Sequence, residues 1–391
     1  MNFHEKKIEL VGVDKEFINK DPIFILVKIP SPISKNTLKK SILSVIPNRF
    51  SSKIEKVDEK LKFNYIEGFF NINHIYLKDS SMLNKENISN LPISFLKKLG
   101  LESKELTSSY LFSTSLISTK NQQYLSISLS HTAGDGYSLV SFTNQLLKEI
   151  GKRKIVHHSN LKLSKLNFND HNFDEVIDIS NQKSDTYYNK LLIPSKTLAY
   201  LSDLNRHYPS ISLQSIRTAY LMMKISPYID PTTNHRTLRI PIDLRKLCKK
   251  KDSKYQQALG NYFSDAVIDL PIEYGSQHSV ISFAKQISRA IKQEIKSIFN
   301  NYTLKNEFTS IKINQKTNKK NFNPCSDIVA TSVVVPENYI LGLPNVSLAL
   351  LDTISENSKR FIEVISTKPL PSHTILSEAV SATDFKLPYA V

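Results

Sequence analysis

The sequence predicts a mixed α/β (α+β) protein made of two halves. Strand-length apolar runs recur along the whole chain, and amphipathic helical segments fall between them in both halves. No fixed-period repeat joins them, which sets aside a solenoid. At 391 residues the chain is also too long for one ordinary core, so two domains or subdomains are expected. The boundary is placed between residues 165 and 166, within a polar crossover at 151–190 that carries Lys152-Arg153-Lys154 and His157-His158.

The elements follow in order. Pro22 to Pro30 brackets a first strand, and Ser34 opens a helix with Leu38, Ile42, Leu43 and Val45 on its apolar face and Pro47 as its stop. Short strands with charged loops follow to residue 80, among them Lys62–Tyr65 and His74–Leu77. Leu111 to Thr119 and Gln123 to Ser130 form a hairpin, and a helix from Ser138 to Ile150 carries Leu139, Phe142, Leu146 and Leu147 on one face. In the second half, helices are expected over Lys196–Arg206, Ser212–Lys224 and Val280–Phe299. Strands are expected over Thr237–Ile242, from Gly260 onward, and over Asp327–Val335, Val346–Leu351 and Phe361–Ile365. The basic runs Lys246–Lys254 and Lys312–Lys320 read as solvated loops.

Composition narrows the function. The apolar fraction of 40% and charged fraction of 23% fit a globular protein. Two cysteines, Cys248 and Cys325, cannot build a disulfide framework or a zinc ribbon, which points to a reduced, cytoplasmic setting. The N-terminus has no apolar signal core, and Ile23–Val27 is far short of a membrane span. The net charge of +16 comes without an aromatic-basic signature, helix-turn-helix cue or zinc finger, so nucleic acid is not the expected partner. Such a charge suits anionic partners such as coenzyme A phosphates or an acidic carrier protein; compositional bias is the plain alternative.

The residues with most to say are Ser130-His131-Thr132-Ala133-Gly134-Asp135-Gly136, directly after the alternating strand Tyr124–Leu129. A histidine at a strand end, on a turn with two glycines, is where a general base is often found. The bare His-x-x-x-Asp spacing is weak, with chance odds of about one in three to one in two for ten histidines. His131 is nevertheless the only histidine of this chain with aspartate at that offset. Asp135 can be buried beside it only with a basic partner. A metal site on His131 and Asp135 lacks an evident third ligand, and a serine or cysteine hydrolase lacks both a Gly-x-Ser-x-Gly and an activated nucleophile. Phosphate-loop and dinucleotide fingerprints are missing too, in a chain of nine glycines.

Four segments then fall in one order: Ser130–Gly136, Ile193-Pro194-Ser195-Lys196-Thr197-Leu198-Ala199-Tyr200-Leu201, Arg239-Ile240-Pro241-Ile242-Asp243-Leu244-Arg245 and Leu259-Gly260-Asn261-Tyr262-Phe263-Ser264. This order resembles the superfamily of condensation domains and chloramphenicol-acetyltransferase-like acyltransferases, over nearly the whole chain. The later strand Asp327–Ser332 is a weaker match. The resemblance implies two chloramphenicol-acetyltransferase-like subdomains in a V with an active-site tunnel between them. It implies His131 as the base that takes a proton from a hydroxyl or amine attacking an acyl thioester. Asp135 and Gly136 would be structural, with Arg245 as the partner of Asp135, and Ser332 would contact substrate or transition state. Two departures mark the subfamily: Ser130 stands where many carrier-dependent members have a further histidine, and a chain without tryptophan cannot carry the Asp-Phe-Gly-Trp-Gly motif of plant alcohol acyltransferases.

The expected activity is therefore transfer of an acyl group from acyl-CoA or an acyl carrier protein to a small-molecule acceptor. The expected protein is a monomer with no permanently bound cofactor, no metal and no transmembrane segment. A stand-alone condensation-like protein forming amides or esters is one alternative. A catalytically inactive relative that binds a carrier protein is another, since a fold can outlive its activity.

Overall fold

The computed structural model describes residues 8–10, 13–18, 22–29, 32–78, 110–120, 122–156, 174–177, 187–192, 195–225, 236–245, 259–270, 277–303, 312–313, 327–335, 347–353, 359–366 and 373–378. In chain order the first half runs β1 (Ile8–Glu9), α1 (Val13–Glu16), β2 (Ile23–Ile29), α2 (Lys35–Val45), β3 (Ser52–Val57), β4 (Lys60–Tyr65), β5 (Asn71–Leu77), β6 (Phe112–Ser118), β7 (Gln123–Leu129) and α3 (Gly136–Val156). It continues with β8 (Glu175–Ile177), β9 (Tyr187–Leu192), α4 (Ser195–His207), α5 (Leu213–Ile225), β10 (Arg236–Asp243), β11 (Phe263–Leu270) and α6 (Gln277–Asn301). The last strands are β12 (Tyr302–Thr303), β13 (Lys312–Ile313), β14 (Asp327–Val335), β15 (Ser347–Thr353), β16 (Lys359–Ser366) and β17 (His373–Glu378).

Two six-stranded mixed sheets organise the chain, with strand orders β15-β2-β7-β6-β5-β8 and β11-β10-β14-β16-β17-β9. Sheet membership does not follow a division at residue 165: β8 and β15, from later in the chain, sit at the two edges of the first sheet. β2 lies inside that sheet between β15 and β7, and its sequence IFILVKI is correspondingly apolar and buried except at Lys28. α2 starts where Ser34 Oγ accepts from the Thr37 N–H at 3.0 Å, a side-chain cap for an otherwise unpaired donor. It stops before Pro47, whose ring restricts the preceding residue to extended backbone, as at Ile46 (ψ 126°).

α3 buries Leu139, Val140, Phe142, Leu146, Leu147 and Ile150, packing on α2, β2 and β7 to form the first core. A second core gathers α4, α5 and α6 against β10 and β11 around Leu201, Ile216, Leu238, Ile240 and Ile287. The mixed α/β expectation thus stands, with local corrections. Leu43 is 44% exposed while Ser41 takes the buried place on α2, because the burying stripe runs through 38, 41 and 42. α3 begins two residues earlier and runs six further than the periodicity suggests, so 151–156 is helix and the crossover holds β8 and part of β9. β11 begins at Phe263, leaving Gly260-Asn261-Tyr262 as a connector before the strand. His157-His158 and Lys246–Lys254 lie outside the described residues. Of Lys312–Lys320, only Lys312–Ile313 are described, as strand β13.

Candidate active site

His131 sits where the sequence places it. β7 ends at Leu129, Ala133 N–H closes a turn onto Ser130 O at 2.8 Å, and Gly136 begins α3. The β7–β6 ladder fixes the strand end in register, with Leu129 opposite Phe112. The imidazole is half-buried, with its Nδ1 atom closed to solvent.

Asp135 does two jobs at once. As the residue before α3, it accepts the Ser138 N–H at 2.9 Å, and its own carbonyl accepts from Leu139 N–H at 3.0 Å, capping the helix. Its two carboxylate oxygens also take the Arg245 guanidinium in a fork: Nη1 to Oδ2 at 2.9 Å and Nη2 to Oδ1 at 3.0 Å. Tyr262 N–H adds a donor to Oδ2 at 3.0 Å. Burial alone would push the Asp135 carboxyl up, but the Arg245 charge, its hydrogen bonds and the Tyr262 and Ser138 N–H groups outweigh it and hold the group below its ordinary value. Arg245 shifts upward for the reciprocal reason: burial works against its charge, and Asp135 and then Asp243 overcome that.

Arg245 follows β10, and its side chain is 2% exposed. It donates to Gly260 O at 2.8 Å, Ser138 Oγ at 3.1 Å and Asp243 Oδ1 at 3.1 Å, and lies 4.4 Å and 4.9 Å from the ring centroids of Tyr137 and Tyr262. The proton of Ser138 Oγ can serve either Asp135 Oδ1 or Gly260 O, both at 2.9 Å, while its lone pairs receive Gly260 N–H at 2.9 Å. The sequence-derived pairing of Asp135 with Arg245 is therefore a buried ion pair with its hydrogen-bonding capacity well filled.

A second buried ion pair, which the sequence does not announce, lies on the other side of the turn. Arg49, just after α2, pairs with Asp14 of α1. It also donates from Nε to Ala133 O at 2.6 Å and from Nη2 to Thr132 O at 3.0 Å. The Asn261 amide reaches Asp14 Oδ1 at 3.0 Å, His131 O at 2.7 Å and Thr132 O at 3.3 Å. The three carbonyls of His131-Thr132-Ala133 are thus satisfied by side chains from two distant segments, as buried backbone acceptors require. No local pattern marks Asp14 or Arg49: only the tertiary structure reveals that either charge is buried. Asn261 and Ser138 stand inside or beside the quoted motifs and could have been inferred from them.

The glycines divide differently from expectation. A Cβ on Gly134 would meet Ser138 Cβ at 2.9 Å and Leu129 Cδ2 at 3.1 Å, so the tight fit is there. At Gly136 no heavy atom lies within 4 Å of such a Cβ, so space does not demand glycine at the position the resemblance marks as structural. Gly260 has φ +145°, which disfavours other residues, and a Cβ there would meet the Tyr262 ring at 3.1 Å and Arg49 Nη1 at 3.5 Å. Ser332 lies within β14, opposite Glu363 of β16 in register; its side chain is outside the described residues. Among the described residues, no three His, Cys, Asp or Glu side chains group as metal ligands, and no helix is long and apolar enough to cross a membrane.

No family model matches the chain, and no curated protein matches it by sequence. Solved structures do match it in fold. The first condensation domain of the CDA synthetase superimposes with a TM-score of 0.61 at 10% identity, over 97% of this chain and 92% of that one. The epimerization domain from the third module of tyrocidine synthetase B gives 0.60 at 11% identity, over 98% and 93%. TRI101 of F. sporotrichioides, solved with coenzyme A and T-2, gives 0.58 at 14% identity, over 95% and 94%. The chain therefore has the fold of the condensation domains and chloramphenicol-acetyltransferase-like acyltransferases, as the order of its motifs led one to expect.

Proposed function

We propose that this protein is an acyltransferase that moves an acyl group from a pantetheine thioester to a hydroxyl or amine, with His131 as general base. The observation that carries the proposal is the buried fork between Asp135 and Arg245, which locks the turn presenting His131 at the end of β7. That lock keeps the carboxylate ionised and occupied, so Asp135 shapes the site and the imidazole is left to move the proton. In this scheme the pantetheine arm of acyl-CoA or an acyl carrier protein enters between the two α/β halves. The acceptor O–H or N–H gives its proton to Nε2 of His131 as its oxygen or nitrogen bonds to the thioester carbonyl carbon. The tetrahedral oxyanion then collapses, the C–S bond breaks, and the thiolate leaves with the proton that His131 returns. Ser332 at the β14 position is the proposed contact to the oxyanion or substrate.

The coenzyme A held by TRI101 supports this donor chemistry by likeness of fold. The net charge of +16 supports an anionic donor, coenzyme or acidic carrier. The deciding experiment offers a panel of acyl-CoA and acyl-carrier-protein thioesters with hydroxyl and amine acceptors and detects thioester loss and product by mass. His131→Ala is expected to lose at least ~100-fold of the rate with its fold intact. Near-normal turnover by that variant would overturn the role of His131, and carrier binding without turnover would favour the inactive, carrier-binding alternative.

A further inference from the structure

His131 is gripped by aromatic rings as well as by its turn. Its imidazole lies face to face with Phe17, ring centroids 3.7 Å apart and planes 8° from parallel. Phe263, the first residue of β11, comes to 5.8 Å at 56°, and the two phenylalanine rings lie 5.8 Å apart. Phe17 belongs to the short segment at residues 13–18, and that segment is fastened to the site's own scaffold. Asp14 pairs with Arg49 and accepts from Asn261 at 3.0 Å, while the Phe17 carbonyl accepts from Thr132 Oγ1 at 3.0 Å. The groups that hold the turn carbonyls of residues 131–133 therefore also hold the ring that covers the imidazole.

We propose that Phe17 is a positioning residue for His131, its ring holding the plane of the imidazole in which the base meets the reacting proton. The proposal rests on His131 as the base of the function above. The χ2 torsion of histidine is broad and roughly two-fold, so a fixed backbone does not by itself set the plane of the imidazole. A parallel ring in van der Waals contact removes that freedom, because rotation about Cβ–Cγ would drive the imidazole edge into the phenyl face. The closed Nδ1 atom fits a single held orientation. A base acts only within hydrogen-bond reach and in line with the proton, so its orientation enters kcat more than substrate binding.

Two variants and two readouts test this in the full chain. Phe17→Leu keeps apolar bulk but removes the flat face, whereas Phe17→Tyr keeps it. With histidine-labelled protein, the ring C–H resonance of His131 (identified by its loss in His131→Gln) is expected upfield of the other histidines from the phenyl ring current. It should return towards them in Phe17→Leu and stay in Phe17→Tyr. In turnover, Phe17→Leu is expected to lower kcat by about tenfold or more with KM for the thioester within about twofold, and Phe17→Tyr to restore it. A His131 resonance unmoved by Phe17→Leu, or an unchanged kcat, overturns the proposal. A moved resonance in a protein that turns over no thioester would keep the stack and overturn the acyltransfer reading instead.

Discussion

Two buried ion pairs flank the turn that carries His131, and they are built on opposite plans. In the pair of Asp135 with Arg245, the carboxylate belongs to the turn and collects donors: a two-pronged guanidinium and the N–H groups of Ser138 and Tyr262. In the pair of Arg49 with Asp14, the guanidinium is the working member, spending its N–H groups on the carbonyls of Thr132 and Ala133 while Asp14 balances its charge. One pair secures the start of α3, the other the backbone just before it. Both meet at residues 260–262, where Gly260 O takes Arg245, Asn261 reaches Asp14 and His131 O, and Tyr262 N–H reaches Asp135. The turn that carries His131 is thus held by donors and acceptors sent in from distant segments.

The comparison is sharpest where one pair is broken at a time. Asp135→Ala, which takes the fork from Arg245 and leaves it only the half-buried Asp243, and Arg245→Ala, which leaves the buried Asp135 carboxylate without its counter-charge, should each cost ~3–5 kcal/mol of stability, read as a fall in the denaturant midpoint. Arg49→Ala should cost a similar amount, because it removes the counter-charge of Asp14 and the side-chain donor to Ala133 O, leaving Asn261 to serve Asp14 and Thr132 O. Asp135→Ala unfolding like the unaltered protein would show that the fork contributes nothing. The double change Asp135→Ala with Arg245→Ala should lose less than the sum of the single changes, and an additive loss would place the two side chains in separate environments.

Gly260→Ala lies beside both pairs and should cost about 1–3 kcal/mol, since φ +145° is strained for alanine and the added methyl presses on the Tyr262 ring. A neutral result would mean that the connector relaxes without disturbing either pair.

The smallest effect separates the pairs by acid. The Asp135 carboxyl is held below its ordinary value, so its contribution to stability is fully present above about pH 4 and is lost as pH falls through the lower folded value. That loss has a slope of at most about 1.4 kcal/mol per pH unit for one proton. Asp135→Asn should flatten this part of the acid unfolding curve, and an acid limb identical to that of the unaltered protein would assign it to other carboxylates.

These contrasts also explain what could be read from the sequence. Asp135 was legible because it lies in a short motif after a strand whose alternation is plain, and a buried carboxylate asks for a cation; that the cation is Arg245 followed from the resemblance carried by the order of the motifs. The strands Asp327–Val335 and the β6–β7 hairpin were legible for the same local reason, as continuous or alternating apolar runs. Asp14, Arg49 and Phe17 were not, because burial of a lone charge and the partner of a ring depend on contacts between residues 35 to more than 100 positions apart. Motif position marked Gly136, while the tight steric fit falls on Gly134, which only the approach of Ser138 and Leu129 discloses. The edge strand β15 had the right composition, but nothing in its sequence says that it joins the sheet begun more than 300 residues earlier.

That late arrival gives the sheet a history during synthesis. β2 pairs with β7 on one side and with β15 on the other, and about 320 residues separate the end of β2 from the start of β15. At roughly 5–20 residues per second, the nascent chain carries β2 for about 15–60 s with the hydrogen-bonding edge reserved for β15 still open. A bare edge on so apolar a strand is a template for self-association. Lys28, its one exposed side chain, stands opposite Ser347 in the finished ladder and so lies at that edge while the ribosome works. A single ammonium group there would act as a gatekeeper, keeping neighbouring nascent chains from pairing until β15 emerges to close the sheet.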